Sequence, residues 1–302
     1  MTEAILAAAR AHWSLGDAPV TLVAARENQV YRVERATCPA ALRLHRAGYR
    51  SMAEMRSELH WMAMMARAGL TVPAPIPAGD GSEMLETHGV AVDMLTWLEG
   101  VPLASTPPTE LLYYDLGRLM AQMHALSDAW QPPAGFLRPI WDLAGEAPTW
   151  GRFWKAPTLK PDQTTLFSRF REAAVRSLSA YRSADTGLIH ADLVPENVLV
   201  HNATLSPIDF DDGGYGHRLF DIATVTFRSR RSDPSGALAQ ATCAGYSSIR
   251  SLNRAALPLF EALRACSYIG WNATRLHEDG AAARNVRFIA QAEQNVRGYL
   301  EA

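Results

Sequence analysis

Apolar and polar positions recur with different periods along the chain, and each change of period marks an element. Residues 3–13 carry a short amphipathic helical pattern. Three short runs follow, Pro19 to Ala24, Val30 to Val33 and Ala41 to Leu44. They are rich in Val, Leu and Tyr and set apart by polar or turn-prone residues, as strands are. Ser51 with Glu54 three residues on is a capping box, so a helix starts there. Met55, Leu59, Met62 and Met65 then recur at helical spacing up to Gly69. Pro73, Pro75 and Pro77 interrupt regular structure, and Val90 to Leu95 reads as a further strand. This first part predicts a small, mostly antiparallel sheet with one substantial helix.

Beyond Gly100 the period turns helical. Thr109 can cap a helix whose apolar positions Leu112, Leu116, Leu119, Met120, Met123 and Leu126 keep a 3.6-residue repeat. Residues 128–162 break it with many Pro and Trp, including Arg138-Pro139-Ile140-Trp141 and Trp150-Gly151-Arg152-Phe153-Trp154. A loop that long is usually functional or disordered, and its aromatics favour a packed, functional insertion. Helix resumes near 163–182, and the chain beyond Pro234 is helical in pattern. The expected class is α+β, with the best single boundary near residue 98: a sheet-rich part, 1–98, and a mostly helical part, 99–302.

Bulk properties narrow the class. A chain of 302 residues can bury one large core or, more naturally, two lobes with a cleft. A net charge of -2, with no basic stripe, argues against a nucleic-acid binder. No stretch approaches the uncharged apolar length of a membrane span, and the N-terminus lacks the basic region of a signal peptide. Cys38, Cys243 and Cys266 are far apart and odd in number, as reduced thiols of a cytoplasmic protein would be. No signal for an oligomeric state stands out.

Chemistry concentrates between His190 and Phe210. His190-Ala191-Asp192-Leu193-Val194-Pro195-Glu196-Asn197 has the spacing H-x-D-x-x-x-x-N. Val198 to Val200 reads as a strand, His201 to Thr204 as a turn and Leu205 to Phe210 as a returning strand. A hairpin centred on Ala203 sets Asn197 and Asp209 side by side, with Cα atoms about 5 Å apart if directly paired. A carboxylate and an amide oxygen converging there suit Mg²⁺, with nucleotide phosphates as further ligands. Asp192, in the loop leading into the hairpin, is placed to orient a hydroxyl and accept its proton.

The stretch Leu188 to Val200, continued by Leu205 to Val225, closely resembles the catalytic segment of the aminoglycoside phosphotransferase and choline kinase superfamily. That resemblance implies a bilobal protein-kinase-like fold with a small antiparallel-sheet N-lobe and a larger, mostly helical C-lobe. It implies Asp192 as catalytic base, Asn197 and Asp209 as Mg²⁺ ligands, His190 as a structural member, and Asp221 as a brace of the catalytic loop. In the N-terminal part Glu27-Asn28-Gln29-Val30-Tyr31-Arg32-Val33 resembles the turn and strand over the nucleotide phosphates. Arg43 stands in the strand of the phosphate-binding cation and Glu58 where its helix partner belongs. Met94 to Gly100, with Met94, Leu95 and Trp97, resembles the hinge whose backbone meets the base of ATP or GTP.

The pattern departs from protein kinases in three places. No G-x-G-x-x-G stands near Asn28, the cation is Arg43 rather than lysine, and Asp211 occupies the glycine of D-F-G. An arginine stays charged and holds phosphate bidentately, so the second departure is compatible with function. The arrangement also resembles the homoserine kinase type II and stress-response kinase branches, which implies a small hydroxylated acceptor such as an amino acid, amino alcohol or aminoglycoside-like molecule. Asp211 and Asp212 can hold a substrate ammonium group; Arg264, with Trp271 on the same C-terminal helix, can hold a substrate carboxylate. Two other readings share the motif: a protein Ser/Thr kinase of the stress-response type, and a nucleotide-binding pseudokinase.

Overall fold

The computed structural model describes residues 1–25, 28–145, 147–181 and 185–301. Helix α1 (Thr2–His12) leads into strands β1 (Val20–Ala25), β2 (Gln29–Val33) and β3 (Ala40–Leu44), then helix α2 (Met52–Arg67). Strands β4 (Met84–Thr87), β5 (Val90–Thr96) and β6 (Val101–Pro102) come before α3 (Glu110–Ala129) and α4 (Pro161–Tyr181). Three more strands, β7 (Thr186–Ile189), β8 (Val198–His201) and β9 (Thr204–Pro207), are followed by β10 (Gly214–His217). The chain closes with α5 (Leu219–Ser229), α6 (Ala237–Ser247), α7 (Leu257–Ala273) and α8 (Ala281–Glu301). The α+β class read from the sequence holds.

Two units divide these elements. The first comprises Met1–Pro102, Ala129–Arg138 and Asn197–Asp211. Its five-stranded antiparallel sheet runs β1-β2-β3-β5-β4. Ile5, Ala9 and Trp13 from the α1 region cluster with Tyr31, Val33, Leu42 and Met94 of the sheet. Helix α2 starts as its capping box dictates: the Glu54 amide donates to Ser51 Oγ at 3.2 Å and the Ser51 amide to Glu54 Oε2 at 2.9 Å. Strand β4 has no alternating pattern to betray it. It forms because His88 and Gly89, both at positive φ, make a two-residue turn that returns the chain onto β5.

The hairpin after the motif is displaced by one residue from its expected register. Val198 pairs with Pro207 and His201 with Thr204, so the loop is Asn202-Ala203, both at positive φ. The Ile208 amide donates to the Asn197 carbonyl at 2.9 Å, which sets Asn197 opposite Ile208 rather than Asp209. A two-residue turn needs two left-handed positions, and Asn202 and Ala203 supply them; a loop centred on Ala203 would need an odd count. Asp209 lies past the end of β9, itself at φ 64°, so a local turn and not the strand ladder directs its side chain.

The second unit comprises Leu103–Asp128, Pro139–Glu196 and Asp212–Ala302. Helix α5 is buried at nearly every position and α7 at most of its length, which is why both read as apolar on several faces. Strands β7 and β10 pair antiparallel beside them. From Pro139 onward the insertion is packed, as its aromatics predict. Trp141 and Trp150 lie 5.2 and 5.5 Å from Phe220, and Phe153 sits 6.0 Å from Phe170 of α4. Gly151, at φ 74°, lets the insertion backbone meet α7 at Gly270: a Cβ on Gly151 would stand 2.6 Å from the Gly270 Cα. Cys38 is exposed, Cys243 and Cys266 are buried, and all three are free thiols. Among the described residues no helix is long and apolar enough to cross a membrane.

Candidate active site

In the first unit a buried charge cluster forms around Arg43. Its Nε and Nη2 donate to the two oxygens of Asp93 at 2.8 and 2.7 Å, and Nη1 donates to Glu58 Oε1 at 2.8 Å. The fork is possible because Arg43 and Asp93 are direct cross-strand partners of β3 and β5. His45 Nε2 lies 2.7 Å from Asp93 Oδ2. Burial works against the Arg43 charge, but Asp93 and then Glu58 outweigh it and raise its pKa above the ordinary value. Burial likewise opposes both carboxylates, and Arg43 foremost overcomes it, so Glu58 and Asp93 stay below the usual carboxylate range. The Arg43–Glu58 pair read from the sequence is therefore present, with Asp93 as an unforeseen third member.

Arg138 ties the end of the motif to α2. Its Nη2 donates to the carbonyls of Phe210 and Asp211 at 2.8 and 2.7 Å, its Nη1 donates to the Glu54 carbonyl at 2.9 Å, and Glu58 Oε2 stands 3.6 Å away. Trp61 meets Phe210 edge-on at 5.4 Å. One buried guanidinium thus fixes the backbone that directly follows Asp209. Among the described residues no group of three or more His, Cys, Asp or Glu side chains is placed to hold a metal by itself. The donor set of Asn197 and Asp209, an amide oxygen and a carboxylate, fits a Mg²⁺ whose other ligands are water and phosphate oxygens, as that ion prefers.

The residues expected to face the nucleotide have mixed commitments. Asn28 Oδ1 accepts from the Arg46 amide at 3.1 Å, and Gln29 Oε1 accepts from the Tyr31 hydroxyl at 3.0 Å. Glu27, of the same turn, lies outside the described residues. Met94 and Leu95 are buried in β5, and the Met94 carbonyl accepts from the Ile76 amide at 2.7 Å. The Thr96 and Trp97 amides donate to Ala74 and Pro39 at 2.8 and 3.3 Å. These backbone donors are spent inside the protein, whereas the buried Trp97 indole N–H has no hydrogen-bond partner among the described residues.

In the second unit Asp221 binds the loop that carries Asp192. Its carboxylate accepts from the amides of His190 at 2.8 Å and Ala191 at 2.7 Å, and lies 3.1 Å from His124 Nε2. Burial opposes its charge, but the His124 hydrogen bond leads the groups that hold its pKa below the usual range. With Asp221 ionised, His124 donates through Nε2, and its Nδ1 lies 3.0 Å from the Tyr246 hydroxyl. His190, fully buried, accepts from the Asp192 amide at 3.4 Å.

Asp192 itself meets Arg264 of α7: Nη2 lies 2.5 Å from Oδ1. The same guanidinium donates to the Tyr268 hydroxyl at 2.9 Å and the Ala191 carbonyl at 3.3 Å. The arginine offered to a substrate carboxylate is thus engaged with Asp192 in this structure. Trp271, two turns along α7, is 40% exposed and lies 4.4 Å from the Arg275 guanidinium. Asp212 accepts from the Trp141 indole N–H through its backbone carbonyl at 2.9 Å, and Asp211 is buried. Sequence reasoning missed Asp93, His124, Arg228 and Tyr268. A lone acid inside the apolar run of β5, and a histidine on the buried face of α3, were the only local signals.

A profile described as the phosphotransferase enzyme family, APH, matches residues 20–260. A homoserine kinase of Mesorhizobium japonicum is 31% identical over 233 residues, 72% of this chain and 67% of that protein. The solved structure of a microcompartment-associated aminopropanol kinase is 31% identical with a TM-score of 0.87, covering 99% of this chain and 97% of its own. An amicoumacin kinase solved with AMP-PNP, Ca²⁺ and Ami shares the fold at 20% identity and a TM-score of 0.80, over 97% of this chain and 93% of its own. The protein-kinase-like fold expected from the motif is thereby confirmed. Matched over most of its length, the chain belongs to the APH phosphotransferase enzyme family and is a kinase acting on hydroxyl groups.

Proposed function

We propose that the chain transfers the γ-phosphoryl group of ATP to the hydroxyl of a small amino alcohol or amino acid, with Asp192 as the base. The observation that carries this reading is the setting of Asp192. Its oxygen is pinned by Arg264 at 2.5 Å, on a loop whose two preceding amides are held by a buried carboxylate. A carboxylate fixed that firmly suits a step whose catalysis is mainly alignment. The acceptor class is supported by near full-length likeness to an aminopropanol kinase.

In the transfer, the acceptor oxygen forms its bond to the γ-phosphorus as the bond from that phosphorus to the leaving ADP oxygen breaks. The hydroxyl proton passes to Asp192. Asn197 and Asp209 would hold Mg²⁺, which when bound neutralises charge on the phosphate oxygens. Arg43 engages three of its N–H groups with Asp93 and Glu58; a guanidinium has five, so two remain for a phosphate. Asp211 and Asp212 supply negative charge for the ammonium group of the acceptor.

The test is ADP release from Mg-ATP with aminopropanol, ethanolamine, choline, homoserine, aminoglycosides and a generic protein as acceptors. Turnover on an amino alcohol or homoserine is expected. It should fall by about 10²–10⁴-fold in Asp192→Asn, with nucleotide binding kept. Asp209→Asn should abolish Mg²⁺-dependent nucleotide binding. Phosphorylation of protein alone, or full activity of Asp192→Asn, would overturn the reading.

A further inference from the structure

We propose that Arg264 is a positioning residue for phosphoryl transfer, holding the Asp192 carboxylate in its working orientation, and that Tyr268 and Arg228 in turn set Arg264. The proposal rests on Asp192 being the base. Arg264 lies deep in α7, only 4% exposed; its Nη donors go to Asp192, the Tyr268 hydroxyl and the Ala191 carbonyl, while its buried Nε has no partner among the described residues. Its guanidinium also stacks over the Tyr268 ring at 4.4 Å and stands 5.7 Å from Phe220. Rotation of Asp192, itself 28% exposed, therefore breaks a charged hydrogen bond to a buried guanidinium.

The support behind Arg264 is itself built. Tyr268 stacks on Phe288 of α8 at 5.0 Å, which fixes its ring. Its hydroxyl receives a second guanidinium, Arg228 of α5, at 3.3 Å, and Arg228 Nη2 stands 2.5 Å from Glu196 Oε1. The catalytic loop is thus gripped at two acidic residues four apart, Asp192 by α7 and Glu196 by α5. One tyrosine oxygen spans the two arginines.

A purely structural role accounts poorly for this cluster. Burying a guanidinium in α7 costs more desolvation than an apolar side chain of like volume would. A substrate-binding role accounts poorly as well, because the group is buried and both of its Nη nitrogens already donate within the protein. What the arrangement does supply is a single orientation for one carboxylate, and misplacing a reacting group by about 1 Å can cost 10²-fold in rate.

The experiment compares Arg264→Ala, Arg264→Lys, Tyr268→Phe and Asp192→Asn in steady-state ADP release with the acceptor giving turnover, alongside Mg-ATP affinity. Arg264→Ala should lose about 10²-fold in kcat with nucleotide affinity and acceptor KM nearly unchanged. Guanidinium ion at non-denaturing concentration should restore part of that loss, and should do nothing for the Arg264→Ala, Asp192→Asn double variant. Tyr268→Phe, which keeps the stack and loses the hydroxyl, should show a smaller kcat loss. Unchanged kcat in Arg264→Ala, a defect confined to acceptor KM, or a loss that guanidinium never restores overturns the proposal. Where Arg264→Ala does not fold, Arg264→Lys decides: a kcat loss of about tenfold at constant acceptor KM supports it, and wild-type kcat sinks it. Full activity in Asp192→Asn would instead remove the base assignment on which it stands.

Discussion

Ala191 adopts φ 66° without the freedom of glycine. A left-handed L-residue costs about 1–2 kcal/mol, and here the cost is offset by two charge-assisted bonds from consecutive amides to Asp221. Ala191→Gly relieves that strain but loosens the unfolded chain by a similar amount, so thermal unfolding should move by less than about 1 kcal/mol equivalent. Ala191→Val, β-branched in the same backbone and fully buried, should lose about 1–3 kcal/mol and much of the turnover, read by melting and ADP release. Asp192, Asn197 and Asp209 stand out in the sequence because their spacing lies within one loop and hairpin. Asp93 and His124 do not, since their partners stand 50 and 97 residues away in sequence. Distant pairing of that kind is a property of the fold, and local pattern carries no trace of it.

Among the elements, helices were the easier to read, because an apolar face repeating every 3.6 residues persists over many turns. Strand β10 is Gly-Tyr-Gly-His and β4 is Met-Leu-Glu-Thr; both are too short and too mixed to show alternation, and pairing alone makes them strands. Hairpin register was misjudged by one residue because it depends on turn geometry rather than on polarity. The insertion read as functional turns out to be walled onto α7 through facing glycines. A Cβ at Gly270 would stand 2.7 Å from the Gly151 Cα and 2.8 Å from the Trp150 carbonyl. Both neighbours are backbone and neither can swing aside. Gly270→Ala should therefore destabilise the second unit by about 1–3 kcal/mol, seen as an earlier urea midpoint. Because Trp150 packs on Phe220, which Arg264 also approaches, kcat should fall as well.

For the molecule as a whole, three fully buried carboxylates with lowered pKa shape acid behaviour: Glu58 and Asp93 in the first unit and Asp221 in the second. Each has a pKa lowered in the folded chain, burial being outweighed by Arg43 for the first pair and by His124 for Asp221. A folded pKa below the unfolded value means the unfolded chain binds more protons as pH falls. The stability they contribute is complete above the unfolded carboxylate values, about 3.9–4.3, and drains away below them toward the folded values. Urea midpoints should thus hold level, as far as these groups decide, from neutrality to about pH 5 and drop steeply below about pH 4. A midpoint indifferent to pH across that drop would show that the carboxylates are paired equally well in the unfolded chain.

The three free cysteines stand at graded depths: Cys38 at the surface, Cys243 buried, and Cys266 fully buried on the helix that carries Arg264. Burial raises the pKa of both interior thiols, Cys266 the more strongly, which slows their reaction further because the thiolate is the nucleophile. A soluble alkylating reagent therefore meets one site at once and the other two only when helices part. The chain carries its own clock for opening, and the slowest hand of that clock sits two residues from the arginine that grips Asp192.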